Sequence, residues 1–379
     1  MDFAFTPEQA DLRETARGFL AEHSCASEVR HAMESEHGFD PGVWKKLAAE
    51  LGWTSAIVPE AYGGSGLGPV ELTALMEVMG EHLLCAPFFS TVCLAANALL
   101  VGGSEAQKQA QLPAIAAGHT RATLAWSEPG SGFDPTDFAC EAAVDGAGFR
   151  LRGRKRFVVD GASAELLVVA ARAPGSAGDA GVDLFLVPAD AAGLTRRALP
   201  TMDQTRRQAE IALADVRVGA DARLAGGDGS ATLRRVLDLA AVALAAEQVG
   251  GAQRCLDISV AYAKERCQFG RPIGSFQAIK HKCANMLVRV ESARSAAYYA
   301  ACVAAAGAAQ LPRAASLAKA YCSDAYFACA GETIRIHGGV GFTWEYDPHL
   351  HFKRAQGSEI LLGDPAWHRE RIARELCDA

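Results

Sequence analysis

The stretch Glu265-Arg266-Cys267-Gln268-Phe269-Gly270-Arg271-Pro272-Ile273-Gly274-Ser275-Phe276-Gln277-Ala278-Ile279-Lys280-His281 interrupts two long, Ala-rich helical patterns. Ahead of it Leu237, Ala241, Leu244, Val249, Leu256, Val260 and Ala263 recur at roughly helical spacing, and behind it Met286, Val290, Ala293 and Ala297 do the same. Gly270, Pro272 and Gly274 punctuate the helices. A connector between packed helices needs Gly, Pro and small polar residues. It does not need Arg266, Phe269, Arg271, Phe276 and Gln277 within a dozen positions. Residue types alone leave two readings open: an ordinary helix–helix turn, or an arm built to touch a ligand or a neighbour.

Length and composition narrow the class. With 379 residues the chain exceeds one typical compact core. It is 50% hydrophobic and 21% charged, ordinary values for a globular protein. A net charge of −7 with no basic block argues against nucleic acid as the main partner. No run of about 20 apolar residues is present to insert into a bilayer. The start, Met-Asp-Phe-Ala-Phe-Thr-Pro-Glu, lacks the basic and apolar regions of a leader peptide. The 11 cysteines are scattered without a Cys-x-x-Cys pair, so neither a disulfide framework nor a zinc site is expected, and the cytoplasm is the default location.

Elements follow from local chemistry. Thr6, Pro7 and Gln9 give a capping-box start to a first helix, with Leu12, Ala16, Phe19 and Leu20 as its apolar stripe. Asp40 and Pro41 open a second, with Trp44 and Leu47 inside and Gly52 to stop it. Helical patterns continue through Leu72, Leu75, Val78 and Met79 and over the apolar run Val92 to Val101. From Thr123 the character changes. Thr123 to Ser127, Phe149 to Arg152, Arg156 to Val159, Leu166 to Val169 and Asp183 to Val187 read as short strands separated by Gly, Ala, Asp and Pro. Helices resume at Ala231. The expected domains are an N-terminal helical one over 1–122, a middle β domain over 123–228 and a helical bundle over 229–379. The class is α+β, mainly helical.

The opening stretch resembles the Arg-x-Gln-Phe-Gly…Phe-Gln signature of the flavin-dependent acyl-CoA dehydrogenase family. Three further motifs follow that family's pattern in order. Trp126-Ser127-Glu128-Pro129-Gly130-Ser131-Gly132-Phe133-Asp134 is similar to its Thr-Glu-Pro-Gly-x-Gly-Ser-Asp, which meets the flavin and the acyl-CoA. Phe157-Val158-Val159 stands where the family has a Trp-Ile-Thr flavin wall. Ile334-Arg335-Ile336-His337-Gly338-Gly339-Val340-Gly341-Phe342 resembles Gln-x-x-Gly-Gly-x-Gly-Phe. The resemblance covers essentially the whole chain and implies an N-terminal helical domain, a middle β domain, a C-terminal four-helix bundle, and FAD as cofactor.

Carried over position by position, it makes Trp126, Ser127, Gly132, Phe157, Val159, Arg266, Gln268, Phe269, Gln277, Arg335, Gly338 and Gly339 cofactor-binding, and Phe133, Leu361 and Leu362 substrate-binding. There are departures. Ser127 replaces Thr, Phe133 replaces Ser, Val159 loses a hydroxyl, and Arg335 replaces Gln, a cation still compatible with a phosphate. The family's pyrophosphate loop meets a flavin held mainly by the neighbouring subunit, so a homodimer, homotetramer or heterotetramer with a paralogous subunit is implied. An electron-transfer flavoprotein or similar acceptor is implied with it.

The resembled reaction removes an α-proton from an acyl-CoA thioester and a β-hydride to flavin, giving the 2-enoyl-CoA. Its base is commonly a Glu near the C-terminus, but here Leu361-Leu362-Gly363-Asp364 occupies that segment. Leu362 cannot take a proton, although its backbone N–H remains a donor for the thioester oxygen. The family's second base position aligns with Ala240, also inert. Glu247 lies two helical turns on, in Ala241-Val242-Ala243-Leu244-Ala245-Ala246-Glu247, and an ionisable group in such a run is costly unless paired or used.

Glu247 is therefore the expected base. Against that stands a structural ion pair with a Lys or Arg in a degenerate subunit. Glu128, Glu345 and Glu359 read as structural, and the histidines form no convincing metal site. The chain is similar to actinobacterial steroid and branched acyl-CoA dehydrogenases lacking the C-terminal Glu. A half-site subunit of a hetero-oligomer and a flavin oxidase or monooxygenase on the same fold stay as alternatives.

Overall fold

The computed structural model describes residues 6–377; Met1 to Phe5, part of the start read above as lacking a leader, lie outside the described residues. Helices α1 (Pro7–His23), α2 (Ala26–Glu34), α3 (Pro41–Ala49) and α4 (Pro69–Glu81) come first. Phe89–Ala96 winds as a π-helix into α5 (Asn97–Gly102), and α6 (Glu105–Ala116) follows. Seven strands come next: β1 (Ala122–Ala125), β2 (Glu141–Asp145), β3 (Gly148–Val159), β4 (Leu166–Arg172), β5 (Val182–Pro188), β6 (Leu194–Ala198) and β7 (Gln208–Gly219). The chain closes with α7 (Gly229–Glu265), the short pair β8 (Cys267–Gln268) and β9 (Arg271–Pro272), α8 (Gln277–Ala305), α9 (Leu311–His337), α10 (Pro348–Ile360) and α11 (Pro365–Cys377). Helical N-terminal part, β middle and helical C-terminal part come in the expected order. No helix of the described residues is long and apolar enough to cross a membrane.

The caps form as the residues dictate. The Thr6 hydroxyl accepts from Gln9 N–H while the Gln9 side chain accepts from Thr6 N–H, and Asp40 accepts from Gly42 and Val43 at the head of α3. Ser104 and Gln107 make a second capping box for α6.

Contacts divide the chain into two compact units. One comprises residues up to His31, Pro69–Leu84 and Ala241 onward; the other comprises Ala32–Gly68 and Cys85–Ala240. The second unit is built on a mixed sheet in the order β1-β4-β2-β3-β7-β6, with β5 on β4. Strand β4 is buried along its whole length, as an apolar run between neighbours should be. Strand β3 joins two segments that read as separate strands. Between Lys155 and Val158 its register with β7 slips by one residue, a β-bulge.

In the first unit the core packs Ala252, Cys255, Cys329 and Ala330 against the larger Met286, Val290 and Tyr326. Helices α4 and α7 cross at two glycines. A Cβ on Gly80 would sit 1.9 Å from the Glu247 carbonyl oxygen, and one on Gly250 would sit 1.7 Å from that of Glu77. Only hydrogen at those positions lets the backbones approach so closely. The buried Glu77 carboxylate accepts from Arg13 of α1 and Arg294 of α8, tying three helices together.

Two buried histidines in this unit give a pH signature. Burial pulls His351 and His368 from 6.5 down to about 3. The folded chain therefore keeps them neutral while the unfolded chain protonates them below its ordinary value. Their contribution to stability is intact above about pH 6.5 and is lost as pH falls toward 3, by roughly 1.4 kcal/mol per unit for each. Denaturant titrations across that window should show His351→Gln with a shallower acid slope than the wild type. An unchanged slope would contradict this origin.

Candidate active site

In the β unit the segment after β1 is held by a buried cation. Lys155 is fully buried, and its ammonium donates to Glu128 at 2.7 Å and to the Trp126 carbonyl at 3.1 Å, 3.8 Å from the centre of the Phe138 ring. The Glu128 carboxylate also accepts from the Ala139 and Cys140 N–H groups, each at 2.8 Å. Glu128 is thus a structural anchor. Desolvation pulls the Lys155 amine below its usual range, while the neighbouring Cys140 and Glu128 draw it back up.

The bulge in β3 sets the next residue. Arg156 N–H donates to the Ser127 carbonyl at 2.9 Å, and Phe157 takes a left-handed φ of +58° with half of its surface exposed. A regular strand would have buried it. The Val159 side chain is buried instead, its carbonyl accepting from Thr123 at 2.6 Å. Gly132 N–H donates to Asp137, and Phe133 lies half-buried beside it. The Ser127–Arg156 bond therefore brings Trp126 and Ser127 beside Phe157. The Val159 side chain is not exposed with them.

In the helical unit the opening stretch is an arm. Phe269 and Gly270 form a two-residue turn with φ of +53° and +79°, both left-handed, as a type I′ hairpin requires. Phe269 pays for this geometry with strain that glycine would not carry, and it is 90% exposed, with Phe276 edge-on to it. Arg266, Gln268 and Gln277 are exposed on the same arm. At its base Tyr262 stacks on His337, ring centres 4.2 Å apart, so the end of α7 and the Gly-rich turn after α9 are held together. Arg335 pairs with Glu332 and stays exposed. A Cβ on Gly338 or Gly339 would meet nothing within 4 Å, so the turn presents open backbone.

Leu361 and Leu362 form the turn between α10 and α11. Leu362 adopts φ +65° and is buried. Its carbonyl accepts from the His368 imidazole at 3.1 Å, and the fully buried Lys319 ammonium donates to the Glu359 and Gly363 carbonyls, each at 3.0 Å. Glu359, at the end of α10, is pushed up by burial and by Asp324 and accepts from Gln356. Glu345 is exposed.

Glu247 is 3% exposed, and its carboxylate accepts from the Arg354 Nε at 2.8 Å. The partner expected for a structural Glu is present. A buried carboxylate needs such a partner whether or not it also works as a base.

Sequence reasoning missed Lys155, Lys319, Tyr262 and Arg354. A Lys within a strand or helix carries no sign of burial, and the partners lie far off in sequence. Tyr262 was two residues beyond the apolar position Val260 on the same helix.

The chain matches acyl-CoA dehydrogenase, N-terminal domain over residues 6–119, acyl-CoA dehydrogenase, middle domain over 123–216 and acyl-CoA dehydrogenase, C-terminal domain over 227–377. It is 34% identical over 369 residues to acyl-CoA dehydrogenase IpdE2 of Mycolicibacterium smegmatis, covering 97% of this chain and 99% of that one. The solved ChsE4–ChsE5 complex from Mycobacterium tuberculosis is similar at 29% identity and a TM-score of 0.91, with 100% of both chains covered. A Tcur3481–Tcur3483 steroid ACAD variant follows at 33% and 0.89, covering 98% of each. With all three domains matched in order, the chain belongs to the acyl-CoA dehydrogenase family and is an oxidoreductase of that kind, similar to its actinobacterial steroid-type members.

Proposed function

We propose that this chain binds FAD and introduces the α,β double bond of an acyl-CoA thioester, with Glu247 taking the α-proton. The observation that carries the reading is Glu247 itself, a buried carboxylate set in an apolar helical run and held in one place by Arg354. FAD, when bound, supplies the acceptor for the β-hydride. The residues fit such a group. Open backbone at Gly338 and Gly339, together with the exposed cations Arg266 and Arg335, suits a pyrophosphate. The exposed rings of Phe157 and Phe269 suit a flat aromatic surface.

In this reading Arg266, Gln268, Phe269, Gln277, Arg335, Gly338 and Gly339 hold the dinucleotide, and Trp126, Ser127, Gly132, Phe157 and Val159 serve the flavin. Val159 does so through its backbone, since its side chain is buried. Phe133, Leu361 and Leu362 line the acyl site. The Leu362 N–H is the thioester-oxygen donor, and the Lys319 and His368 bonds around it keep that turn rigid. The bulky or branched acyl group of a steroid side chain is the proposed substrate class. It is supported by the apolar Phe133 and Leu362 and by the likeness to a steroid ACAD. Electrons leave to an electron-transfer flavoprotein or similar acceptor.

The competing reading is a half-site subunit whose paralogue does the chemistry. It is favoured by the missing C-terminal acid and by the likeness to the two-component ChsE4–ChsE5 complex. Purified protein separates the possibilities. A yellow sample bleached by acyl-CoA, with turnover under an artificial acceptor, supports the dehydrogenase. A colourless, insoluble chain rescued by co-expression supports the half-site subunit, and hydrogen peroxide formed without acceptor supports an oxidase.

A further inference from the structure

We infer that Arg354 is a positioning residue for Glu247, holding the carboxylate ionised and in one orientation and so setting the pH range in which the base works. The inference rests on the assignment of Glu247 as base. Glu247 follows Ala243, Leu244, Ala245 and Ala246, all buried, where a carboxylate without a counter-charge is costly. Arg354 Nε and Glu247 Oε1 are 2.8 Å apart, and both side chains are almost wholly buried.

Neither end of the pair can drift. The Glu247 backbone is locked by the close crossing at Gly80 and Gly250. One turn before Arg354, His351 of α10 meets the Tyr326 hydroxyl at 3.0 Å, and the Tyr326 ring fills the space a Cβ on Gly251 would take. Several other ionisable groups on the packed elements have partners of their own. On α4, Glu77 pairs with Arg13 and Arg294, and Glu81 pairs with Arg17. On α9, Lys319 donates to Ser323, which bonds Gln248, and to the carbonyls near α11. Arg254 of α7 and His82 lie near His351, which burial keeps neutral. Arg354 is a cation in direct contact with the base.

When Glu247 takes the α-proton, an O–H bond forms as the C–H bond breaks, and the guanidinium is left facing a neutral acid. The cation therefore favours the waiting, ionised state over the protonated one. Without it the carboxylate keeps its proton to higher pH. Flavin bleaching by acyl-CoA, followed from about pH 6 to 10 on the FAD-loaded protein, tests this. Arg354→Met and Arg354→Gln should move the midpoint up by about a unit or more. Near neutrality they should slow bleaching on the order of ten-fold to a hundred-fold, with recovery at alkaline pH. Arg354→Lys should restore much of the wild-type profile.

A folded variant with the wild-type midpoint, or a loss equal at every pH, overturns the inference. Thermal midpoints give a readout independent of activity. Glu247→Gln combined with Arg354→Met should be more stable than Arg354→Met alone, since no unpaired charge is left; equal stabilities would overturn the inference even if the single variants fold poorly. Normal bleaching by Glu247→Gln overturns the base assignment and this inference together. An inert Glu247→Gln beside unshifted Arg354 variants overturns this inference only.

Discussion

Glu247→Gln should leave FAD bound and abolish its reduction by the thioester, slowing bleaching by about 10²–10⁴-fold, the range a positioned general base supplies. The amide keeps the size of the carboxylate and still offers an oxygen to Arg354, so the local packing survives. It cannot accept a proton at neutral pH. The matched control is Glu359→Gln. Glu359 is a partly buried acid near the Leu362 turn, and burial pushes it upward, as a base would need. Its bond to Gln356 and its place at the end of α10 mark it as structural, so this variant should bleach within a few-fold of wild type. If Glu359→Gln is inert and Glu247→Gln is active, the base has been assigned to the wrong residue.

Lys155→Met should cost about 3–5 kcal/mol, because it strips the counter-charge from the Glu128 carboxylate in a nearly closed site. The loss reaches further than one ion pair. Lys155 also holds the Trp126 carbonyl, and the next residue, Ser127, pairs through its carbonyl with the bulged part of β3. Loosening this segment should lower the flavin-to-protein ratio of purified material as well as the thermal midpoint. Replacing both partners, Lys155→Met with Glu128→Leu, should recover a large part of the lost stability, since no buried charge is then left alone. A single and a double variant of equal stability would mean that the pair carries little of this segment's order.

Much of the fold is legible in the residues. Thr6 with Gln9 and Asp40 with Pro41 specify helix starts by local hydrogen bonding, and both caps form. The change from helical to period-two patterning near Thr123, and back after the sheet, gives the order of elements. Strands β2, β6 and β7 are not among the strands the patterning marks. Strand β6, Leu-Thr-Arg-Arg-Ala, lies at the sheet edge with no fully buried residue, so alternation has nothing to mark. Strand β3 read as two pieces because Gly153, Arg154 and Lys155 carry no apolar alternation, and the bulge between Lys155 and Val158 falls inside the second piece.

The same bulge explains Phe157. An aromatic in a β-rich run reads as core, yet the left-handed backbone turns it outward. At the site, the apolar run around Glu247 announced that the charge must be paired or used. It could not name Arg354, 107 positions away. The buried lysines were invisible for a related reason. Their acceptors are mostly backbone carbonyls, which every residue has.

The most direct test is a single turnover of FAD-loaded protein, without oxygen, on an acyl-CoA carrying deuterium at both α positions. The account predicts that the flavin bleaches and that the product is a 2-enoyl-CoA that has lost one of the two deuterons, with Glu247→Gln giving none. Thioester returned unchanged with the flavin still oxidised, or product from Glu247→Gln at the wild-type rate, would contradict it.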